Sequence, residues 1–284
     1  MNISRLVFLL GLTLGALRAG SVFAAGPTST LYLMNYGEFS GGNVVGLDLI
    51  QGVSENSYAT GNPGDVNLAV FGDVRTFGYF ISTPGSRFDL GGNPLLGGPY
   101  LNTFGGQLHD GTSDGSYNYT IDYTTGNVIQ FDRNWANPVT LFNPLGTTTP
   151  GWITMNAADG SFWLSQYGNS DLVEHRTHTG TLLSSFNSGI KYSQGLALDP
   201  IDGTLWMSSG YTIYQFSQSG TALQNLSFSV QGGGWYGMEF DTTPVPEPSS
   251  LAVVGASLAF WLRLHRSPKR TRSAGAGGPA NRIS

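Results

Sequence analysis

The chain contains no cysteine, which excludes disulfide cross-links, thiolate metal ligands and thiol nucleophiles together. Charge is also scarce. Only 11% of the 284 residues are Asp, Glu, Lys or Arg, too few for the long surface helices that draw on Glu and Lys. Basic residues are rarest where a folded body would sit: residues 26 to 245 hold Arg75, Arg87, Arg133, Arg176 and Lys191 against 17 acids, a formal charge of −12. Such a body repels phosphate backbones, so nucleic acid is not an expected partner. No apolar run reaches the roughly 20 residues of a comfortable membrane span, and no phosphate loop or H-E-x-x-H zinc motif occurs.

What is present is glycine, 41 residues, with aromatics at 12%. That mixture favours many short strands joined by tight turns, and an all-β fold is the expectation. The length suffices for a large core without cross-links.

Both ends read as signals. Arg5 precedes an apolar run from Leu6 to Leu17, and Val22-Phe23-Ala24 offers a small-residue cleavage site. This is the layout of a signal peptide, so Sec export and signal-peptidase cleavage are expected, with residues 1–25 removed. At the other end, Val245, Pro246, Glu247 and Pro248 are followed by an apolar stretch from Leu251 to Leu262 and then by Arg263, Arg266, Lys269, Arg270 and Arg272. The two prolines make a stiff, accessible tether, because neither enters a helix or a central strand. Twelve apolar residues reach about 18 Å as a helix against a hydrocarbon core of roughly 30 Å, so insertion is marginal. The basic cluster prefers the cytoplasmic side, leaving the body outside.

This three-part tail resembles the PEP-CTERM sorting signal, although Leu264 interrupts the basic run and Ser273–Ser284 extend it. The resemblance implies recognition by a membrane-embedded exosortase in a Gram-negative host that makes extracellular polysaccharide. It further implies a membrane-tethered precursor, then a mature protein at the cell surface or outside the cell, with extracellular polysaccharide as a partner.

The body repeats. Trp152-Ile153-Thr154-Met155-Asn156, Gly195-Leu196-Ala197-Leu198-Asp199 and Gly237-Met238-Glu239-Phe240-Asp241 lie about 43 and 42 residues apart. Each of the first two is followed by an Asp-Gly turn and a strand, at Asp159-Gly160 and Asp202-Gly203, and an earlier copy starts at Asp114-Gly115. Asp-Gly supplies the positive φ of a tight hairpin. Third and fourth strands follow, such as Asp171–His175 and Thr181–Phe186. Four short strands at this period predict a β-propeller. The last strand, Trp235–Phe240, completes a blade begun by Thr30–Met34 and Val44–Asp48, which removes free sheet edges. The count is five blades, or six if the Gly- and Pro-rich stretch from Gly52 to Gly98 hides another. The repeat around Leu196–Pro200 resembles NHL and related propeller repeats. The expected organisation is a signal peptide (1–25), a propeller (26–243), the sorting signal (244–272) and a disordered tail (273–284).

Chemistry is harder to find. His175 and His178 lie beside Asp171 and Glu174, but on a strand residues three apart face opposite ways, so no metal site is expected. Asp110–Gly115 lacks the acids of a calcium loop and reads as a hairpin turn. His109 and Asp110 form an adjacent pair worth testing. Trp152, Trp163, Trp206 and Trp235 recur in the repeat and are candidates for a sugar-stacking face, although packing between blades serves them equally. No catalytic residue and no cofactor is expected. A non-catalytic binding or matrix protein leads; the alternative is a propeller enzyme such as a metal-dependent lactonase or a lyase, for which Asp110, Asn156, Asp199 and Glu239 would have to converge.

Overall fold

The computed structural model describes residues 30–243, apart from 36–41, 50–52, 63, 145–149 and 228–233. The signal peptide, the Val245–Pro248 motif, the basic residues from Arg263 onward and the final tail lie outside the described residues.

The described chain is all strand and turn. Strands β1 (Thr30–Asn35), β2 (Asn43–Asp48) and β3 (Val53–Ala59) form one sheet with the last strand, β21 (Trp235–Phe240). β21 pairs antiparallel with β1 from Leu31↔Phe240 to Asn35↔Trp235. The expected composite blade is therefore present. Blade 2 holds β4 (Asp65–Val70), β5 (Val74–Gly78), β6 (Pro84–Gly85), β7 (Arg87–Phe88) and β8 (Tyr100–Leu101). Blade 3 is β9 (Leu108–Ser113), β10 (Tyr117–Asp122), β11 (Asn127–Asp132) and β12 (Val139–Phe142). Blade 4 is β13 (Pro150–Asn156), β14 (Ser161–Gln166), β15 (Leu172–Arg176) and β16 (Leu182–Asn187). Blade 5 is β17 (Gly195–Leu198), β18 (Leu205–Ser209), β19 (Thr212–Phe216) and β20 (Ala222–Ser227). The innermost strands β4, β9, β13, β17 and β21 pack in turn around a ring that closes from β21 to β4. The chain is a five-bladed β-propeller, and the Gly- and Pro-rich stretch contributes one blade rather than two.

Local chemistry explains the hairpins. Gly115, Gly160 and Gly203 hold φ of 87°, 73° and 72°, the left-handed region where glycine carries no Cβ penalty. The aspartate before each accepts a backbone N–H from the far side of the turn: Ser116 to Asp114, Ser161 to Asp159 and Thr204 to Asp202, at 2.7, 2.9 and 2.8 Å. Burial then falls from the hub outward. β4 and β9 are buried along their full length, whereas β16 and β20 are mostly exposed.

The core is divided into five apolar clusters, one at each junction between neighbouring blades. Trp206, Trp235 and Phe240 lie between blades 5 and 1, Trp152, Trp163 and Phe216 between blades 4 and 5, and Tyr32, Leu68 and Phe88 between blades 1 and 2. Phe77, Phe131 and Trp135 join blades 2 and 3, and Tyr119, Met155 and Phe162 join blades 3 and 4. Each such side chain contributes roughly 1.5–3 kcal/mol by leaving water, so the ring is held by its junctions.

Candidate binding face and hub

The hub is closed by a carboxylate. Asp110, on β9 with φ of 54°, is completely buried. Its Oδ2 accepts the backbone N–H of Ile153 and of Leu196, at 3.2 and 3.4 Å, and its Oδ1 accepts that of Met238 at 3.2 Å. Those donors belong to β13, β17 and β21, so one side chain ties three innermost strands to a fourth. Beside it lies Glu239, also fully buried, which accepts from the Thr154 hydroxyl at 3.2 Å and from the Phe240 N–H at 3.1 Å. Burial pushes both carboxyls well above the usual range, and the Asp110 charge pushes Glu239 further. Asn156 and Asp199 do not join them. Their side chains cap the turns at Ala158 and Ile201, so the four polar residues required for a catalytic channel do not converge.

The strand starts build a different surface. His109 precedes Asp110 on β9, so its side chain points away from the hub and into a pocket of about 230 Å³ lined by Val66, Tyr79, His109, Tyr123, Tyr167 and Tyr236. The imidazole is clamped, stacked on Tyr123 at 4.7 Å and on Trp152 at 5.1 Å, with Tyr79 tilted at 5.0 Å. Its Nδ1 is buried with no hydrogen-bond partner in the protein. Burial alone lowers the imidazole to about 4, so the ring is neutral at physiological pH. No lining side chain is charged. The four tyrosines are half-buried, which leaves part of each ring open to the pocket.

Three of these tyrosines occupy one repeated position. Tyr79, Tyr123 and Tyr167 each directly follow the second strand of blades 2, 3 and 4, and Tyr211 follows that of blade 5 two residues on; the four are spaced 44 residues apart. That 44-residue spacing is the sequence signal that marks the site. Rings run on from one another along this row: Phe80 to Tyr79 at 4.2 Å, Tyr123 to Tyr167 at 5.8 Å, and Tyr167 to Tyr192 at 6.4 Å. Phe80, Tyr192 and Tyr211 are 46%, 51% and 48% exposed.

The tryptophans of the repeat are elsewhere. Trp152, Trp163, Trp206 and Trp235 are at most 1% exposed and fill the junctions between blades, so none offers a face to a sugar. Trp163 stacks on His175 at 4.2 Å, and the His175 ring reaches Ser161 Oγ at 2.7 Å. His178 instead lies against Phe162 and Tyr119. Among the described residues no cluster of acids and histidines is arranged to hold a metal ion. Gly111-Thr112-Ser113-Asp114-Gly115 has the G-x-S-x-G spacing of a hydrolase elbow. Ser113 ends a strand that enters a hairpin, not a helix, and its hydroxyl bonds the Tyr117 carbonyl, the Gly115 N–H and Arg133. That is turn chemistry, with no histidine in reach of the hydroxyl.

At the opposite ends of the innermost strands lies the largest concentration of positive charge in the propeller. Asp73 accepts from Arg75 at 2.9 Å, from Arg87 at 2.6 Å and from Arg133. The chain leaves the propeller beside this cluster. Asp241 accepts the Gly72 N–H at 2.9 Å, and the Thr242 hydroxyl donates to the carbonyls of Val70 and Ser113 at 3.0 and 2.8 Å.

No family model and no curated protein matches the sequence. Among solved structures, the propeller is similar to a chain in the crystal structure of a nidogen/laminin complex, at 13% identity and a TM-score of 0.53, covering 76% of this chain and 100% of that one. It is also similar to a structural-genomics protein of unknown function from Bacteroides thetaiotaomicron, at 15% identity and a TM-score of 0.51, covering 76% of this chain and 63% of that one. At these identities the likeness establishes the propeller fold alone.

Proposed function

We propose that the chain is the precursor of an exported, exosortase-processed protein of the cell surface or extracellular space, which works by binding rather than by catalysis, in or on an extracellular matrix. The observation that carries this reading is the uncharged Tyr/His pocket at the starts of the innermost strands. It is concave and lined by aromatic rings that carry polar groups, the features of a ligand site,. The acids of the hub favour binding over a lactonase or lyase, because backbone N–H groups and Thr154 already occupy them. The tail supports export and sorting through its Val245–Pro248 tether, apolar stretch and basic end.

The test is production of the full chain in a Gram-negative host that has an exosortase. Intact mass should show loss of the first 25 or so residues and cleavage near the Val-Pro-Glu-Pro motif. With Pro246, Glu247 and Pro248 all changed to alanine, the propeller should fold normally yet stay uncleaved and membrane-associated. Processing of that variant at the wild-type rate would remove the sorting part of the proposal. For the binding part, the extracellular polymer fraction of the host should raise the melting temperature of the mature protein and leave a Tyr167→Ala variant unmoved.

A further inference from the structure

We infer that the row of rings at the strand starts binds a chain of neutral sugar residues, one in the pocket and its neighbours along the row. This rests on the reading of the pocket as a ligand site and adds the chemical class of the ligand.

The pocket selects first by charge. The lining holds one valine, four tyrosines and a histidine that burial keeps uncharged. A carboxylate or phosphate placed there would be desolvated without a counter-ion, which is costly. The body around the pocket is itself strongly acidic, and three of its five basic residues gather at the opposite ends of the strands. An anion is therefore disfavoured at this face, and the lining holds no carboxylate to pair with a cation,.

Shape comes next. The pocket, about 230 Å³, lies below the roughly 300–1,000 Å³ of sites for drug-sized ligands, so it admits one ring rather than a large fused system. Phenol rings offer flat apolar faces and hydroxyls together, which suits a ring with C–H faces and a polar edge. The phenol hydroxyls of the lining both donate and accept,, and a sugar hydroxyl does both in return.

Length comes last, and it comes from the repeat. Tyr79, Tyr123 and Tyr167 follow the second strands of successive blades and line the pocket together, while Phe80, Tyr192 and, one residue later in its blade, Tyr211 are exposed outside the lining. These further rings extend past what a single bound ring can cover. A polymer of rings uses them all.

The experiment is affinity electrophoresis of the mature protein through gels containing a glucan, a mannan or a galactan, with alginate as the uronate control. At least one neutral polymer should retard the protein, and alginate should not. Tyr167→Ala should weaken retention about five- to tenfold, while Tyr167→Phe, which keeps the ring face, should lose less than half of that. Tyr211→Ala, far from the pocket, should weaken binding of a hexasaccharide of the retained polymer but not of its disaccharide. Melting temperatures of the variants check that each is folded. Preferential binding to alginate, or retention by a neutral polymer that none of these substitutions weakens, overturns the inference. If the host's extracellular fraction stabilises the wild type and not Tyr167→Ala while no neutral polymer is retained, the sugar class is wrong and the pocket reading stands. If neither has any effect, both fall.

Discussion

Blades 2 and 4 occupy equivalent places in the same ring and are held together differently. Blade 4 is a regular antiparallel ladder from β13 to β16, with Asp159-Gly160 supplying its first turn. Blade 2 has only β4, β5 and the short β7 in one sheet, and its outer part folds back as the separate β6–β8 pair. The fold-back brings backbones so close that a Cβ on Gly85 would stand 2.1 Å from the Thr76 carbonyl, a position only glycine can fill. Their ties to the ring differ as well. Asp110 takes backbone N–H groups from blades 4, 5 and 1, and none of its donors is on β4. Blade 2 is attached to blade 3 by a backbone bond from the Leu108 N–H to the Tyr79 carbonyl at 3.2 Å and by side chains: Asn67 donates to the Leu108 carbonyl and accepts from Thr120, and Arg133 of blade 3 reaches Asp73. Where ladder hydrogen bonds are lost, a buried polar network takes their place, and such networks are more sensitive to single substitutions than ladders.

Substitution at the hub should have the largest effect. Asp110→Ala leaves three buried N–H groups without an acceptor, each costing about 1–3 kcal/mol, so a loss of about 5 kcal/mol is expected, with faster amide exchange in β13, β17 and β21 but not first in β4. Asp110→Asn, which retains an acceptor oxygen, should fall between. Uniform exchange across all five blades would mean that the hub does not distinguish blade 2.

Asp73→Ala comes next. It removes the shared carboxylate of three guanidinium groups, each of which keeps a neutral acceptor, for an expected loss of about 3 kcal/mol confined to β5, β7 and the neighbouring turn of blade 3. The counterpart in blade 4, Glu174→Ala, should cost about 1–2 kcal/mol, because a single guanidinium loses its carboxylate and Arg176 keeps its bond to the Gly180 carbonyl at 2.7 Å. Equal losses from the two variants, read from chemical denaturation, would erase the contrast.

A further contrast concerns pH. Asp65, at the start of β4, is buried and pushed up to about 7 by desolvation, which outweighs the hydrogen bond from Thr76 at 2.9 Å. A carboxyl raised in the folded state contributes stability below its unfolded value near 3.8 and loses it as pH rises through about 7,. The difference in stability between wild type and Asp65→Asn should therefore shift by about 2–3 kcal/mol in favour of the variant between pH 5 and 8. His109 acts in the opposite direction below neutrality, because burial lowers it, but it is common to both proteins and cancels. A flat difference would show that Asp65 is ionised at no cost.

Much of the architecture was legible because turn chemistry repeats. Asp114-Gly115, Asp159-Gly160 and Asp202-Gly203 mark the same hairpin three times, and the unmatched strand at Trp235–Phe240 indicated the closure. Blade 2 was not legible in detail, since a contact such as Gly85 against Thr76 is long in space and leaves no periodic trace. The site was half visible. His109 and Asp110 stood out as a pair, but adjacent residues on a strand face opposite ways, so one builds the hub and the other the pocket. The tryptophans were misleading as stacking candidates because the largest aromatics are the most valuable between blades. The tyrosines, less apolar and carrying a hydroxyl, were left for the surface.

Strand β21 begins at the pocket, with Tyr236 in its wall, and ends at Asp241 and Thr242, where the chain leaves the propeller. A ligand held at one end and an attachment at the other would load this strand along its length. Its rungs to β1, from Leu31↔Phe240 to Asn35↔Trp235, lie across that direction,. Tension would then shear all five rungs at once instead of peeling them one by one. The strand that closes the ring is oriented so that pulling on the protein does not readily open it.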